Sequence, residues 1–186
     1  MPETLDLPAS SLVAMTRESL LALRAALFRD LGANAASVLQ EAGFAGGPAF
    51  FDAFGTWLST HGHGAPENLA ASEFATYAAE FFHDTGWGSI ELGTLANVAV
   101  VDSPDWAESD PARPLDFPGC YYTSGILSDF FGRLAGQAVA VMEVECRSMG
   151  GERCRFLVGS GEVLQRVYDA MAGGVPYEEA LGTTVG

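Results

Sequence analysis

Apolar residues recur at helical spacing along the first part of the chain. Leu20, Leu23, Leu27, Leu31, Val38 and Leu39 fall mostly on one face, which predicts a long amphipathic helix over 16–42 with Thr16 as its N-cap. Gly43 and the pair Gly46 and Gly47 are placed to end it. The stretch 48–59, PAFFDAFGTWLS, reads as a short aromatic helix, HGHGAPEN as a loop, and 67–83 as a third helix stopped by Asp84, Thr85 and Gly86. The period then changes. Residues 87–92 and 97–102 have strand character and are joined by a short glycine-containing turn. The segment 103–118, SPDWAESDPARPLDFP, carries four prolines and four acids, which predicts a surface excursion or a lid.

A helix is expected over 119–135, where Gly125 and Gly132 allow close packing. Residues 137–147 and 153–158 predict a terminal hairpin, and 160–172 a last helix followed by a loosely held tail. Helices, strand pair, helix, strand pair, helix is the order of an α+β domain, an antiparallel sheet covered by helices. No repeat or linker divides it. Residues 1–65 read as the N-terminal helical region of one domain, 66–175 as its core and 176–186 as its tail.

Composition narrows the function classes. The chain has 186 residues and a net charge of -15, and all nine basic residues are arginines. Such a chain repels phosphate backbones and anionic membrane surfaces, which argues against direct nucleic-acid or membrane binding. No apolar run is long enough to span a bilayer. The opening MPETLDLPASS lacks the basic start and apolar stretch of an export signal, so a cytoplasmic protein is expected.

Three cysteines, Cys120, Cys146 and Cys154, are too few for a disulfide framework. Cys146 and Cys154 flank the turn at Gly150 and Gly151, so a hairpin brings them together. Cys120 falls near the start of a helix, where the dipole favours a thiolate. Three thiolates suit a tetrahedral zinc ion with one further ligand. Glu143 and Glu145 are both near enough, and strand alternation alone does not choose between them. A zinc with three thiolates and a carboxylate is anionic, and Arg147, Arg153 and Arg155 around the cysteines are expected to balance it.

The stretch 119–158 resembles the 4-vinyl reductase domain. The shared features are a cysteine opening a glycine-bearing helix (Cys120, Gly125), a strand ending in Glu-x-x-Cys (Glu143 to Cys146), a glycine turn (Gly150, Gly151) and Cys-x-Phe (Cys154 to Phe156). The pair of strands opening at Gly86, Trp87 and Gly88 also fits. This family includes sensory domains of regulators that respond to aromatic compounds, a bacteriochlorophyll-synthesis protein and stand-alone hydrocarbon-binding proteins. Its fold is shared with trafficking-complex subunits and related to nitric oxide sensors. The resemblance implies a structural zinc held by Cys120, Glu143, Cys146 and Cys154, and so selects Glu143 over Glu145. It also implies a homodimer, a small apolar or aromatic ligand and, since no ATPase or DNA-binding motif accompanies it, action alone or through a separate regulatory protein.

Other chemistry finds less support. The haem-sensing relatives carry Tyr-x-Ser-x-Arg, whereas Tyr122 and Ser124 are followed by Ile126 in place of the arginine. No GxGxxG fingerprint supports a reductase, although an accessory or reductase role in tetrapyrrole synthesis is the alternative that the family name suggests, and a scaffold without ligand is a third. Four protein ligands leave no open position on zinc for catalysis. His61 and His63 lie in a glycine-rich loop and read as solvated. Phe44, Phe50, Phe51, Phe54, Trp57, Phe81, Phe82, Trp87 and Trp106 supply far more ring surface than short helices ordinarily carry. Most are expected in the core, and Trp57, Phe81, His83 and Trp106 are the candidate ligand-binding residues. The 103–118 segment is the candidate lid.

Overall fold

The computed structural model describes residues 11–184. The opening stretch read above as lacking an export signal lies, but for Ser11, outside them. Six helices and four strands follow in the order α1 (Arg17–Leu31), α2 (Ala35–Thr60), α3 (Ala71–Asp84), β1 (Glu91–Leu95), β2 (Val98–Ser103), α4 (Tyr121–Ala135), β3 (Ala140–Glu145), β4 (Cys154–Gly159), α5 (Gly161–Ala172) and α6 (Tyr177–Thr184). The strands form one antiparallel sheet in the order β1-β2-β4-β3. The α+β expectation is therefore borne out. Among the described residues no helix is long and apolar enough to cross a membrane.

The sheet is covered on both faces. Val101, Val141, Phe156 and Val158 point toward α2, α3 and α4 and join the large aromatic core. Val98, Val100 and Leu157 point the other way and pack on Leu164, Val167, Tyr177 and Leu181. This second layer corrects the expectation of a loose tail. Residues 177–184 form a helix whose Tyr177, Ala180 and Leu181 are buried, because the outward apolar residues of β2 and β4 need cover.

Thr16 caps α1 as expected, accepting from the Ser19 N–H at 3.2 Å. The break after it falls earlier than Gly43, Gly46 and Gly47 predict. The chain turns at Gly32–Asn34, where Gly32 has φ 56°, and α2 then runs unbroken through Gly43, Gly46, Gly47 and Pro48. These glycines mark a helix crossing. A Cβ on Gly43 would lie 2.0 Å from the Tyr122 carbonyl oxygen, and one on Gly125 would lie 2.1 Å from that of Gln40. Small residues on both helices let α2 and α4 approach backbone to backbone, so loss of side chains at these points serves packing and not termination.

Strand β1 begins at Glu91, not at Trp87. The preceding residues form a loop with Gly86 at φ 80° and Gly88 at φ 129°, and the Ser89 N–H donates to Asp105 Oδ1 at 2.8 Å. The 103–118 segment is no lid. Trp106, Ala107, Glu108 and Ser109 are buried. The Leu115 N–H donates to the Ser148 carbonyl at 2.8 Å and the Asp110 N–H to the Ser148 hydroxyl at 2.9 Å. Arg24, buried on α1, donates to the carbonyl oxygens of Glu108 and Gly119 at 2.5 and 3.3 Å. The segment is a plug between α1, α4 and the hairpin turn.

Candidate metal centre

Three elements bring the cysteines together. Cys120 is the N-cap of α4, Cys146 follows β3, and Cys154 opens β4. The turn between the last two contains the single helical turn Arg147–Met149 and then Gly150 at φ 84°, a conformation that glycine adopts without strain. The Gly151 N–H returns to the Cys146 carbonyl at 3.1 Å, closing the loop.

A β-bulge decides which glutamate joins them. Glu143 pairs with Phe156 and Glu145 with Arg155, so the register slips by one residue between them. In a regular strand both glutamates would share a face and Cys146 would point away from them. With Val144 inserted, Glu143 and Cys146 both face the aromatic core, and Glu145 faces α6.

The donor atoms of Cys120, Glu143, Cys146 and Cys154 all lie within 4.8 Å of one another, and all four residues are buried. The Cys120 and Cys154 sulfurs are 4.0 Å apart. Zinc–sulfur bonds of about 2.3 Å at tetrahedral angles place sulfurs about 3.8 Å apart. The spacing therefore suits a metal site and is far too long for a disulfide. Glu143 Oε2 accepts from the Cys120 N–H at 2.8 Å. Its Oε1 is buried without a partner, the one such side-chain oxygen or nitrogen among the described residues. A buried orphan acceptor is costly, and a cation held between this oxygen and three sulfurs would satisfy it. The donor set and the orphan oxygen thus fit a metal. Among the described residues no other group of three or more histidine, cysteine, aspartate or glutamate side chains converges in this way.

Burial and mutual crowding set the acidities of the four groups apart. Burial pushes the Cys120 thiol well above its usual value. Burial, and then the negative charge on Cys146, raise Glu143 likewise. Cys146 is held far below the ordinary thiol value, because hydrogen bonds from Cys120 and Cys154 favour its thiolate and the Gly119 N–H adds to them. Cys154 gains a similar bond from Cys120, but its own donation to Cys146 and its burial leave it raised. Metal binding would replace the shared protons.

Two of the three arginines expected to balance this charge, Arg153 and Arg155, do not do so. Arg155 grips Asp102 with two bonds of 2.7 and 2.6 Å, and Arg153 grips Glu145 with bonds of 2.8 and 3.0 Å. Both point to the opposite sheet face, because they flank the inward Cys154 on β4. Tyr177 donates to Glu145 and accepts from Arg155, which fastens α6 to the sheet. The anionic cluster is served instead by backbone N–H groups and the positive end of α4.

One buried carboxylate near the cluster carried no sequence signal. Glu108 is fully enclosed. It accepts from the Tyr122 N–H at 3.1 Å, the Thr123 N–H at 2.8 Å and the Thr123 hydroxyl at 2.6 Å. Burial raises its pKa, and these bonds with Arg24 oppose the rise.

The candidate ligand residues fall in two places. Phe81 and Trp106 are enclosed in the ring cluster, with Trp106 stacked on Trp87 at 5.7 Å and its N–H donated to the Thr123 hydroxyl at 2.7 Å. Trp57 and His83 border an open cleft of about 390 Å³, shared with His61, Glu80, Asp84 and Ile90. His61 stacks on Trp57 at 4.1 Å and His63 on Tyr77 at 3.8 Å. Phe44 is half exposed and stands outside the core.

The comparisons agree with the family resemblance read from the sequence. The family model of the 4-vinyl reductase domain matches residues 110–160, the segment that carries all four cluster residues. The resemblance to that family is thus shown there. In structure the chain is similar to the phenol-responsive sensory domain of the transcription activator PoxR, at a TM-score of 0.64 and 19% identity, over 94% of this chain and 84% of that one. It is also similar to a vinyl-4-reductase family protein from Methanocaldococcus jannaschii, at a TM-score of 0.50 and 19% identity, over 82% of this chain and 87% of that one. These likenesses establish the fold. No curated protein matches the chain.

Proposed function

We propose that this domain binds a small apolar or aromatic molecule and reports on it, and that a structural zinc ion at Cys120, Glu143, Cys146 and Cys154 holds its framework. The observation that carries the reading is the convergence of those four buried donors around the unpartnered Glu143 Oε1. Zinc there would tie the start of α4 to both arms of the β3–β4 hairpin and so stabilise the fold. With four protein donors no ligand position is left for substrate, so the metal's part is structural and not catalytic.

The ligand half of the reading is supported by the fold shared with a phenol-responsive sensory domain and by the ring cluster between α2, α3, α4 and the sheet. Phe50, Phe54, Phe81, Phe82, Trp106 and Phe130 lie in mutual contact there. A flat apolar molecule entering from the cleft at Trp57 and His83 would reach Phe81, whose ring lies 6.2 Å from Trp57, and would be held by stacking and area burial.

Native mass spectrometry of freshly purified protein tests both halves, since it weighs bound zinc, any co-purified molecule and the assembly together. One zinc per chain is expected. Metal-free, fully folded protein would overturn the zinc reading. A thermal-shift screen of phenols, other benzenoids, fatty acids and tetrapyrroles tests the ligand. Saturation at a hundredfold excess over Kd adds about 2.7 kcal/mol, or about 5–10 °C for a domain of this size. No stabilisation by any of them would favour a ligand-free scaffold.

A further inference from the structure

We infer that Glu108 is a positioning residue of the metal centre: its buried carboxylate caps α4 from a distant segment, and this frees the N-cap residue, Cys120, to ligate. The inference rests on the metal reading above and deepens it.

A helix leaves its first N–H groups without partners, and the N-cap side chain ordinarily satisfies one of them. Serine, threonine, aspartate and asparagine do this well. Cysteine, whose sulfur is a weak acceptor, does not. The Cys120 side chain makes no capping bond to α4. Its sulfur instead turns toward Cys154 and the rest of the cluster. The unpartnered amides at Tyr122 and Thr123 are taken by Glu108, from 14 and 15 residues earlier in the chain, at 3.1 and 2.8 Å.

The backbone around Cys120 is fixed by buried charged groups on every side. Arg24 holds the Gly119 carbonyl at 3.3 Å and the Glu108 carbonyl at 2.5 Å. Glu143 holds the Cys120 N–H at 2.8 Å. Glu108 holds the amides of Tyr122 and Thr123 and the Thr123 hydroxyl, which in turn accepts the Trp106 indole N–H. An ordinary N-cap at position 120 would satisfy the helix and remove a ligand. A cysteine without Glu108 would supply the ligand on a frayed helix end. The two residues together give both.

Loss of a group that orients a metal ligand is read most directly as a loss of metal affinity. The test is therefore cobalt(II) substitution followed by chelator competition, at a temperature well below every variant's unfolding. Glu108→Ala should lower cobalt and zinc affinity by roughly 10- to 100-fold and shift the thiolate-to-cobalt absorption bands. Leu164→Ala, in the apolar layer on the far side of the sheet, should lower stability but leave affinity and spectrum at wild-type values. If Glu108→Ala does not fold, Thr123→Val, which removes one donor to the same carboxylate, decides by a smaller loss of the same sign. Wild-type affinity and an unshifted spectrum in the Glu108 or Thr123 variant, or an equal loss in Leu164→Ala, would overturn the inference. A wild-type protein that takes up neither cobalt nor zinc would instead sink the metal reading on which it stands.

Discussion

Replacing Gly43 by alanine should destabilise this protein, although the same exchange in an open helix interior stabilises by roughly 0.5–1 kcal/mol. The added Cβ would lie 2.0 Å from the Tyr122 oxygen, 2.9 Å from its carbonyl carbon and 3.1 Å from the Ile126 nitrogen. All three are backbone atoms of α4 and cannot swing aside. Non-bonded heavy atoms settle about 3.5 Å apart, so α2 and α4 would have to part by about 1–1.5 Å. Sliding is blocked by the reciprocal contact of Gly125 with the Gln40 oxygen. Overpacking of this kind costs about 1–3 kcal/mol, and the rigid neighbours place it at the upper end. For a chain of 186 residues that lowers the thermal midpoint by about 4–12 °C. Tyr122 is two residues from Cys120, so metal content should fall as well. Gly55 lies in the same helix with nothing within 4 Å of its would-be Cβ, and Gly55→Ala should be neutral or stabilising. Calorimetric midpoints and zinc per chain for the two variants check this. An unchanged or raised midpoint in Gly43→Ala would refute the packing argument.

At the metal centre, Cys146→Ser and Glu143→Gln should each lose stoichiometric zinc and melt earlier, whereas Glu145→Gln should keep it; equal metal content in the two glutamate variants would contradict the assignment. Tyr177→Phe should cost about 1.5 kcal/mol by removing a bond to a half-buried carboxylate, read as faster hydrogen exchange in α6 than in β4; uniform protection would count against a separate clasp. Burial raises the Glu145 carboxyl, but hydrogen bonds from Arg153 and Tyr177 hold it below its ordinary value. Its contribution is thus present above the unfolded value near about 4.3 and is lost as pH falls through the lower folded one. Acid titration of the thermal midpoint should be steeper below about pH 4 in the wild type than in Glu145→Gln, and identical slopes would refute the link. With a net charge of -15 no duplex DNA binding is expected at physiological salt, and a gel shift at sub-micromolar protein would show otherwise.

Helices and strands with clear periodicity were legible from residues alone, as Thr16 at the start of α1 and the hairpin around Gly150 show. The breaks were not. A glycine that ends a helix and a glycine that admits a neighbouring helix look the same in sequence, and only the partner at Tyr122 distinguishes Gly43. The three cysteines pointed to one another by turn spacing, but the fourth donor depended on a bulge, which no local pattern announces. Arg153 and Arg155 are neighbours of the cysteines in sequence, but alternation around Cys154 turns them to the other face. Glu108 sat unnoticed among prolines and acids, because a buried carboxylate is recognised by what surrounds it and not by its neighbours in the chain.

The bulge in β3 also bears on length variation at this site. Glu143 and Cys146 are an odd number of residues apart, which in an even-phased strand would be out of phase. The single added residue, Val144, brings them back into phase. A chain lacking that residue could still present both ligands from a regular ladder, as Glu-x-Cys. A chain that kept the residue but straightened the strand could present only one. The spacing between the two ligands and the irregularity of the strand are therefore one property, and neither can change by a single residue without the other.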